Sequence, residues 1–283
     1  MLTNPTMHKL LQLSLTGMAA AFQEQQERAD YATLAFEDRL GLLVDREAID
    51  RENRRLERNL KAAKLRVNAS IEDLDLHHPR GLDRAVILAF ADAQWVRAHQ
   101  NVLIVGATGT GKTFIACALA HAALRRGHTA LYLRAPRLFT DLAIARADGR
   151  LPRVLAAFAR VDVLVIDDLA LQPLTPAQGA DLLEVVEDRS QRRSTVVTSQ
   201  LPVSGWHDSL GDATVADAIL DRLVHNAHRL ELRGESLRRS QRGADEGATA
   251  SAAVGSDPQA AKMRVSPKSE ALRSTQRPAA HRA

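Results

Sequence analysis

The sequence has little of several features that would point to other classes of protein. It contains one cysteine in 283 residues, which excludes a disulfide framework, and this Cys117 lies in an Ala- and Leu-rich stretch where it is expected to pack in a core. No apolar run approaches the roughly 18 residues of a membrane span, and no signal peptide opens the sequence. We therefore expect a cytoplasmic protein without a membrane partner.

Metal-binding side chains are also sparse. His77 and His78 lie together in turn-like sequence without the further ligands that a metal site needs, so we interpret them as loop residues. The charge balance is modest, with 38 Lys and Arg against 34 Asp and Glu and a net charge of +4. The sequence pI is nevertheless about 9.6, which favours a polyanionic partner without identifying one.

A phosphate-binding loop is the most specific motif in the sequence. An apolar run at Asn101–Val105, typical of a buried strand, precedes it, and a helix-forming run at Phe114–Leu124 follows it. In this context the pattern GxxxxGK[ST] predicts a cradle for the phosphates of ATP, in which Lys112 reaches the β- and γ-phosphates and Thr113 ligates Mg²⁺. The predicted nucleotide-binding residues are Gly106, Ala107, Thr108, Gly109, Thr110, Gly111, Lys112 and Thr113.

A second motif follows about 55 residues after the loop lysine. The apolar run Val161–Ile166 ends in two carboxylates, Asp167 and Asp168. We expect this strand to lie beside the P-loop strand, so that Asp167 holds a water bound to Mg²⁺ and Asp168 orients or activates the attacking water. The alternative is a pair of exposed turn carboxylates.

Two further positions are candidates for sensing or stabilising phosphate. The strand Thr195–Gln200 ends in small polar residues, of which Ser199 is our choice as the γ-phosphate sensor, with Thr198 and Gln200 as alternatives. Arg222 lies on the polar side of a predicted helix at 216–223 and could act as an arginine finger in a neighbouring subunit. It could equally be an ordinary surface charge.

Residues 8 to 75 have the pattern of a helical module. Leucines and Met18 between residues 10 and 18 predict one apolar face that continues to Phe22, and a second helical unit is predicted over residues 33–43. The stretch from 45 to 66 is basic. Four arginines there share one helical face and could follow DNA phosphates, without interleaved aromatic residues for stacking on single strands. The alternative is a solvated helix with ion pairs such as Glu47 with Arg51. The four are Arg51, Arg54, Arg55 and Arg58.

The remaining sequence alternates strand and helix patterns, which is typical of a parallel α/β sheet. We predict a P-loop ATPase domain over residues 76–240, preceded by a small all-α domain over 1–75. A tail at 241–283 has almost no large apolar residues and is expected to be disordered. The predicted strands are Asn101–Val105, Thr129–Arg134, Val161–Ile166, Ser194–Ser199 and His228–Leu232.

Taken together, these motifs resemble the IstB-like ATPases, which are transposition helpers of bacterial insertion sequences and relatives of the helicase loader DnaC within the AAA+ class. The resemblance covers roughly residues 8–240. The segments that carry it are 10–18, 36–40, 51–56, 81–84, 106–113, 166–168, 198–203, 221–223 and 234–239.

The resemblance implies functions that the motifs alone do not. It implies ATP hydrolysis in a homo-oligomer with ATP at subunit interfaces, non-specific binding to double-stranded DNA, and a cognate transposase as partner. It implies that Arg222 acts in trans as a catalytic finger and that Arg238, or the adjacent Arg239, contacts nucleotide. A helicase loader is the alternative. A small-molecule kinase is a third class, but no segment suggests its acceptor pocket or its lid.

Overall fold

The computed structural model describes residues 5–76, residues 80–234 and Ser236. The predictions for Arg238, for Arg239, for the two adjacent histidines at 77 and 78 and for the tail at 241–283 lie outside these residues. Within them, no helix is both long enough and apolar enough to cross a bilayer.

Ten α-helices and five β-strands make up this part of the chain. The helices are α1 Pro5–Gln12, α2 Thr16–Glu27, α3 Phe36–Ala63, α4 Arg84–Phe90, α5 Gln94–Arg97, α6 Lys112–Arg125, α7 Ala135–Ala147, α8 Leu151–Arg160, α9 Pro176–Arg189 and α10 Ala213–Val224. The strands are β1 Asn101–Gly106, β2 Ala130–Arg134, β3 Val163–Leu169, β4 Ser194–Ser199 and β5 Ala227–Leu232. Each strand overlaps a predicted strand to within two residues at its start.

The five strands form one parallel sheet in the order β2-β3-β4-β1-β5. The parallel α/β sheet is therefore confirmed, but the prediction that β3 lies beside the P-loop strand is wrong. Strand β4 separates the two, pairing with β1 on one side and with β3 on the other. All six β4 residues are buried, as expected for a strand covered on both faces in the middle of a sheet.

Helices cover both faces of the sheet. Because alternate side chains of a strand point to opposite faces, Val102 and Ile104 of β1 pack in one cluster with α6, whereas Leu103 and Val105 pack in a second cluster with α7 to α10. The result is a three-layer α/β/α arrangement in which the first layer contains the helix that follows the P-loop.

The N-terminal helices differ from the predicted pattern. The expected continuous face from residue 10 to Phe22 is interrupted, because α1 ends at Gln12 and Ser14 has a left-handed backbone with φ of 58°. Leu11 and Leu13 are consequently exposed. The predicted unit at 33–43 and the basic stretch instead form the single 28-residue helix α3.

A buried carboxylate joins α2 to α3. Glu47 of α3 accepts hydrogen bonds from the backbone N–H groups of Gly17, at 2.8 Å, and Met18, at 3.2 Å, in the first turn of α2. These N–H groups have no partner within their own helix. Burial opposes ionisation of Glu47, but the hydrogen bonds from Arg51 and from the Met18 and Gly17 backbone lower its pKa below the ordinary value. Glu47 therefore fixes the start of α2.

The end of α3 and the segment after it belong to the core of the sheet domain. Ala63, Ala69, Ile71 and Leu74 are buried in the same cluster as α6 and β1. Residues on the N-terminal side of the predicted domain boundary at 75 thus contribute to the hydrophobic core of the ATPase domain.

The buried Arg189 links the segment before β3 to the first residues of β4. Arg189 at the end of α9 is almost fully buried and donates to the carbonyl of Val161 at 2.9 Å, to the Thr195 hydroxyl at 3.1 Å and to the carbonyls of Phe158 and Ser194. Burial lowers the pKa of Arg189 to about 9, so the guanidinium remains charged at neutral pH. Its hydrogen bonds satisfy carbonyls that would otherwise be buried without donors.

We predict that Arg189→Ala lowers the free energy of unfolding by about 3 kcal/mol or more, because several buried acceptors lose their donor at once. Chemical denaturation with far-UV circular dichroism measures this change. The matched control is Arg192→Ala, since Arg192 is exposed just beyond the same helix. Equal stability of the two variants would contradict the structural role of Arg189.

Candidate functional site

The P-loop lies between β1 and α6 at the carboxyl edge of the sheet. Strand β1 ends at Gly106, and α6 begins at Lys112. The loop passes very close to the end of β5 and to the segment after it: a Cβ at Gly106 would lie 2.5 Å from the carbonyl oxygen of Leu232, the last residue of β5, and one at Gly109 would lie 2.0 Å from the Ser236 hydroxyl. Both positions also have positive φ. Glycine is required at each by space and by backbone conformation.

Lys112 is the first residue of α6 and is buried. Its ammonium group donates to the Gly106 carbonyl at 2.7 Å and to the Ala107 carbonyl at 2.8 Å. The lysine side chain therefore folds back over the loop, where its charge and the amino terminus of α6 both favour an anion.

The Asp167 carboxylate is the centre of the hydrogen-bond network at this edge. It is fully buried and accepts hydrogen bonds from the hydroxyls of Thr113, at 3.0 and 3.1 Å, of Thr198, at 2.6 Å, and of Tyr132. The donors come from α6, β4 and β2, so one side chain joins the P-loop helix to the three strands β2, β3 and β4. Burial and the hydrogen bond to Asp167 both raise the pKa of Tyr132, which keeps the phenol protonated as a donor.

The residues present fit a magnesium nucleotide. A carboxylate and a threonine hydroxyl converge within 3.1 Å of each other, and both are hard oxygen ligands of the kind that Mg²⁺ takes. The glycine-lined loop next to them leaves room for phosphate oxygens to approach backbone N–H groups. Thr113 and Asp167 are thus the residues that would hold the metal.

Asp168 has an unusual backbone. Its φ of 60° is left-handed, and the register between β3 and β4 shifts between Ile166 and Leu169. The Asp168 N–H donates to the Thr198 hydroxyl at 3.0 Å, which stabilises this conformation. The carboxylate is turned toward Arg134 at the end of β2, at 3.3 Å. A non-glycine residue in this region stores backbone strain, and such residues cluster at active sites.

The three candidates for the γ-phosphate sensor differ in the direction and the contacts of their side chains. Thr198 points to the α6 side of the sheet, where it contacts both aspartates. Ser199 points to the opposite side, and its hydroxyl donates to the Leu169 carbonyl at 2.8 Å. The Gln200 side-chain oxygen accepts from the Thr108 hydroxyl of the P-loop at 2.8 Å. The assignment to Ser199 stays a prediction, and the geometry favours its two neighbours, because adjacent residues of a strand face opposite ways.

Arg222 lies away from this edge. It is partly buried on α10, donates to the Ala218 carbonyl at 2.9 Å and forms an ion pair with Glu187. Asn101, at the start of β1, donates to the Arg222 carbonyl at 3.1 Å. Since β1 rises about 3.3 Å per residue, the Arg222 backbone lies roughly 17 Å from the P-loop of its own chain.

The arginines of α3 have partners within the chain. Arg51 donates to Glu47 at 2.7 Å, and Arg54 lies 3.4 Å from the same carboxylate and 3.2 Å from Asp50. Arg55 donates to the Gly127 carbonyl between α6 and β2. The ion pair between Glu47 and Arg51 that the sequence suggested is present, whereas Arg58 is exposed one turn further along the helix.

Sequence reasoning missed three residues of the site. Tyr132 and Arg134 both belong to β2, and the carboxyl ends of parallel strands meet at one edge, so alternation along β2 could have placed them near Asp167. Arg66 could not have been found in this way. It follows α3 in an irregular segment, and its guanidinium lies 3.6 Å from Asp167 and 4.0 Å from Asp168.

Comparison with known proteins agrees with these features. The family model of the IstB-like ATP binding protein matches residues 8–244. The chain is 50% identical over 242 residues to the insertion sequence ATP-binding protein y4pL of Sinorhizobium fredii, covering 86% of this chain and 99% of that protein. It is 49% identical over 205 residues to the ATP-binding protein of insertion sequence IS1162 of Pseudomonas fluorescens, covering 72% and 89%.

Solved structures show the same fold. The crystal structure of DnaI matches with a TM-score of 0.51 at 24% identity, covering 59% of this chain and 92% of that one. DnaA from Aquifex aeolicus bound to AMPPCP matches with a TM-score of 0.51 at 16% identity, covering 66% and 56%. The prediction of a parallel-sheet P-loop domain of the AAA+ type after an N-terminal helical region is confirmed. The chain belongs to the family of IstB-like ATP binding proteins.

Proposed function

We propose that this protein is an ATP-dependent transposition helper that assembles on target DNA and recruits or activates a transposase. The observation that carries the proposal is the contact between Thr113 and Asp167 beside the P-loop, in a chain half identical to an insertion sequence ATP-binding protein. The contact between Thr113 and Asp167 supports a site for nucleotide hydrolysis. The similarity to an insertion sequence ATP-binding protein supports a function in transposition.

Each residue at the carboxyl edge has a role in ATP hydrolysis under this proposal. Lys112 binds the β- and γ-phosphates, and Thr113 with Asp167 holds the metal. Bound Mg²⁺ supplies neutralisation of the charge that develops on the phosphate oxygens. Asp168 orients the attacking water, and its contact with Arg134 keeps that carboxylate turned to the edge of the sheet.

We predict that Lys112→Ala abolishes or nearly abolishes ATP binding, because the loop loses the cation that meets the phosphates. Asp168→Asn should bind ATP like the wild type but lose turnover, because an amide cannot accept a proton from water. Nucleotide titration and a phosphate-release assay on both variants measure these effects. Wild-type ATP affinity in Lys112→Ala would refute the assignment of the site.

We further propose that ATP lies between subunits of a homo-oligomer and that Arg222 reaches the nucleotide of a neighbour. The distance from Arg222 to its own P-loop supports this, because the side chain is far too short to span roughly 17 Å along β1. Before assembly the guanidinium is paired with Glu187. That pair would have to open when a partner's phosphates compete for the same donors.

We predict that Arg222→Ala binds ATP but hydrolyses it slowly, by about a hundredfold or more, as expected for loss of an arginine finger. Mixing it with Asp168→Asn should restore part of the activity, since some mixed interfaces contain both intact groups. The readout is phosphate release at several mixing ratios. Glu187→Ala serves as the control that removes only the ion-pair partner. Absence of recovery at every ratio would exclude action in trans.

We propose that double-stranded DNA binds, without sequence preference, along the basic face of α3 formed by Arg51, Arg54, Arg55 and Arg58. The exposed Arg58 is the best placed of the four. Arg51 and Arg54 are shared with the structural carboxylate Glu47. Phosphates would therefore compete with an internal ion pair at Arg51 and Arg54, compete with the Gly127 carbonyl at Arg55, and meet an unshielded guanidinium at Arg58. An alternative surface in the ATPase domain consists of Arg146, Arg150 and Arg153.

We predict ATP-stimulated DNA binding whose log–log salt slope falls by about 0.9 in magnitude for each α3 arginine that neutralises a phosphate. Arg58→Ala tests the face without disturbing Glu47, and the fourfold alanine variant tests the whole set. Fluorescence anisotropy at several salt concentrations gives the slope, and ATP binding should stay unchanged. The matched control is the triple alanine variant of Arg146, Arg150 and Arg153. If the salt slope falls in magnitude only in that control, the DNA-binding surface lies in the ATPase domain and not on α3.

Helicase loading, as by DnaC, is the alternative function with the same site. The likeness to DnaI supports the shared fold and does not distinguish the two functions, whereas relatives at 50% and 49% identity are named for insertion sequences. Co-purification with the product of an adjacent transposase reading frame, set against co-purification with the replicative helicase, separates them. Selective retention of the helicase would overturn the transposition proposal.

A further inference from the structure

The segment after α3 brings an N-terminal side chain into the nucleotide site. Helix α3 ends at the buried Ala63, and Lys64 turns the chain with a left-handed φ of 52°. Leu65 and Val67 then pack against the core of the sheet domain. The intervening Arg66 points the other way, toward the carboxyl ends of β2 and β3.

The buried Cys117 of α6 lies near the backbone of this segment. Burial raises the pKa of the Cys117 thiol, while the nearby backbone of Val67 and Arg66 acts in the opposite direction. Cys117 lies one helical turn after Thr113 on the P-loop helix. The backbone of Arg66 is thus held against the same helix that begins with the phosphate-binding lysine.

The Arg66 guanidinium contacts the two aspartates directly. Its Nη1 lies 3.6 Å from Asp167 Oδ2, the same oxygen to which the Tyr132 hydroxyl donates, and 4.0 Å from Asp168 Oδ2. The nearby Tyr132 hydroxyl and the two aspartates raise the pKa of Arg66. Arg66 and Tyr132 therefore approach the same oxygen of Asp167.

The two carboxylate oxygens of Asp167 face different donors. A guanidinium has only donors, and a carboxylate oxygen accepts. Asp167 Oδ2 faces both the Tyr132 hydroxyl and the Arg66 guanidinium, whereas Asp167 Oδ1 accepts from Thr198. Without Arg66, Asp167 loses the cation beside Oδ2, and hydroxyl groups alone orient the carboxylate.

We propose that Arg66 is a positioning residue of the ATP site, which acts with Tyr132 on one oxygen of Asp167 to hold this carboxylate toward Thr113. The inference rests on the ATPase function proposed above and extends it, because Arg66 belongs to the segment that follows the N-terminal helices. An intact end of helix α3 is then a requirement for a fully formed metal-binding edge.

The test compares binding of a non-hydrolysable ATP analogue in Mg²⁺ and in excess EDTA. In EDTA, Arg66→Ala should bind like the wild type, because the P-loop is unchanged. In Mg²⁺ its affinity should fall about 10-fold, the effect expected when an outer-shell partner of a metal ligand is lost. Turnover should fall with it, and Arg66→Lys should recover part of both losses.

A double variant tests whether Arg66 and Tyr132 act on the same oxygen. Tyr132→Phe removes only the hydroxyl, and it should also weaken binding in Mg²⁺ without changing it in EDTA. The combined loss should differ from the sum of the two single losses, because residues that share one partner are not additive. The control is Arg125→Ala, which removes an exposed ion pair with Glu72 at the far end of α6.

The outcomes are distinguishable. An unchanged Mg²⁺ dependence in Arg66→Ala and in Tyr132→Phe would overturn the positioning role, and additive losses in the double variant would overturn their shared action on Asp167. If Arg66→Ala fails to fold, Tyr132→Phe and Arg66→Lys carry the same comparison. A wild-type protein that binds the analogue in neither condition would refute the ATP function itself.

Discussion

The architecture of the site depends on one buried carboxylate. Asp167 has no exposed surface, and a charge that is taken out of water must be met by hydrogen bonds or it destabilises the fold. Three hydroxyls from α6, β2 and β4 meet it. Each of these donors has to reach one of the two oxygens of a single carboxylate. The positions of α6, β2 and β4 relative to one another at the carboxyl edge are therefore fixed by Asp167. The P-loop helix is thereby positioned by the same contacts that order the carboxyl edge of the sheet around Asp167.

The position of β4 follows from this constraint. If β3 lay directly beside the P-loop strand, no strand between them could present a hydroxyl to Asp167. With β4 inserted, Thr198 donates to Asp167 and accepts from the backbone of Asp168. A single threonine therefore supports both the buried carboxylate and the strained residue after it. The cost of the left-handed backbone at Asp168 is offset locally by this hydrogen bond.

Local sequence patterns were sufficient to locate the P-loop, the five strands and the two aspartates at the end of β3, because each of these features depends on residues that are adjacent in the chain. The strand order could not be obtained in this way, since a parallel α/β pattern does not say which strand is inserted between two others. The assignment of the sensor to Ser199 stays a prediction, and alternation along β4 places the neighbouring Thr198 on the α6 side of the sheet. Arg66 lies 101 positions before Asp167 in the sequence, and only the tertiary fold brings them together.

The basic stretch of α3 shows why charge patterns alone do not assign a surface. Arg51 and Arg54 are bound to Glu47, which in turn satisfies the first backbone N–H groups of α2. Arg55 joins the helix to the turn after α6, and Arg66, three residues beyond the end of α3, contacts Asp167. These arginines thus already have partners within the chain that join α2 to α3, α3 to the sheet domain, and the segment after α3 to the carboxyl edge of the sheet. Glu47 and Arg66 lie on one continuous segment, in which α3 spans about 42 Å at 1.5 Å per residue. A single helix therefore connects the packing of α2 with the contacts around Asp167, which charge spacing in the sequence could not reveal.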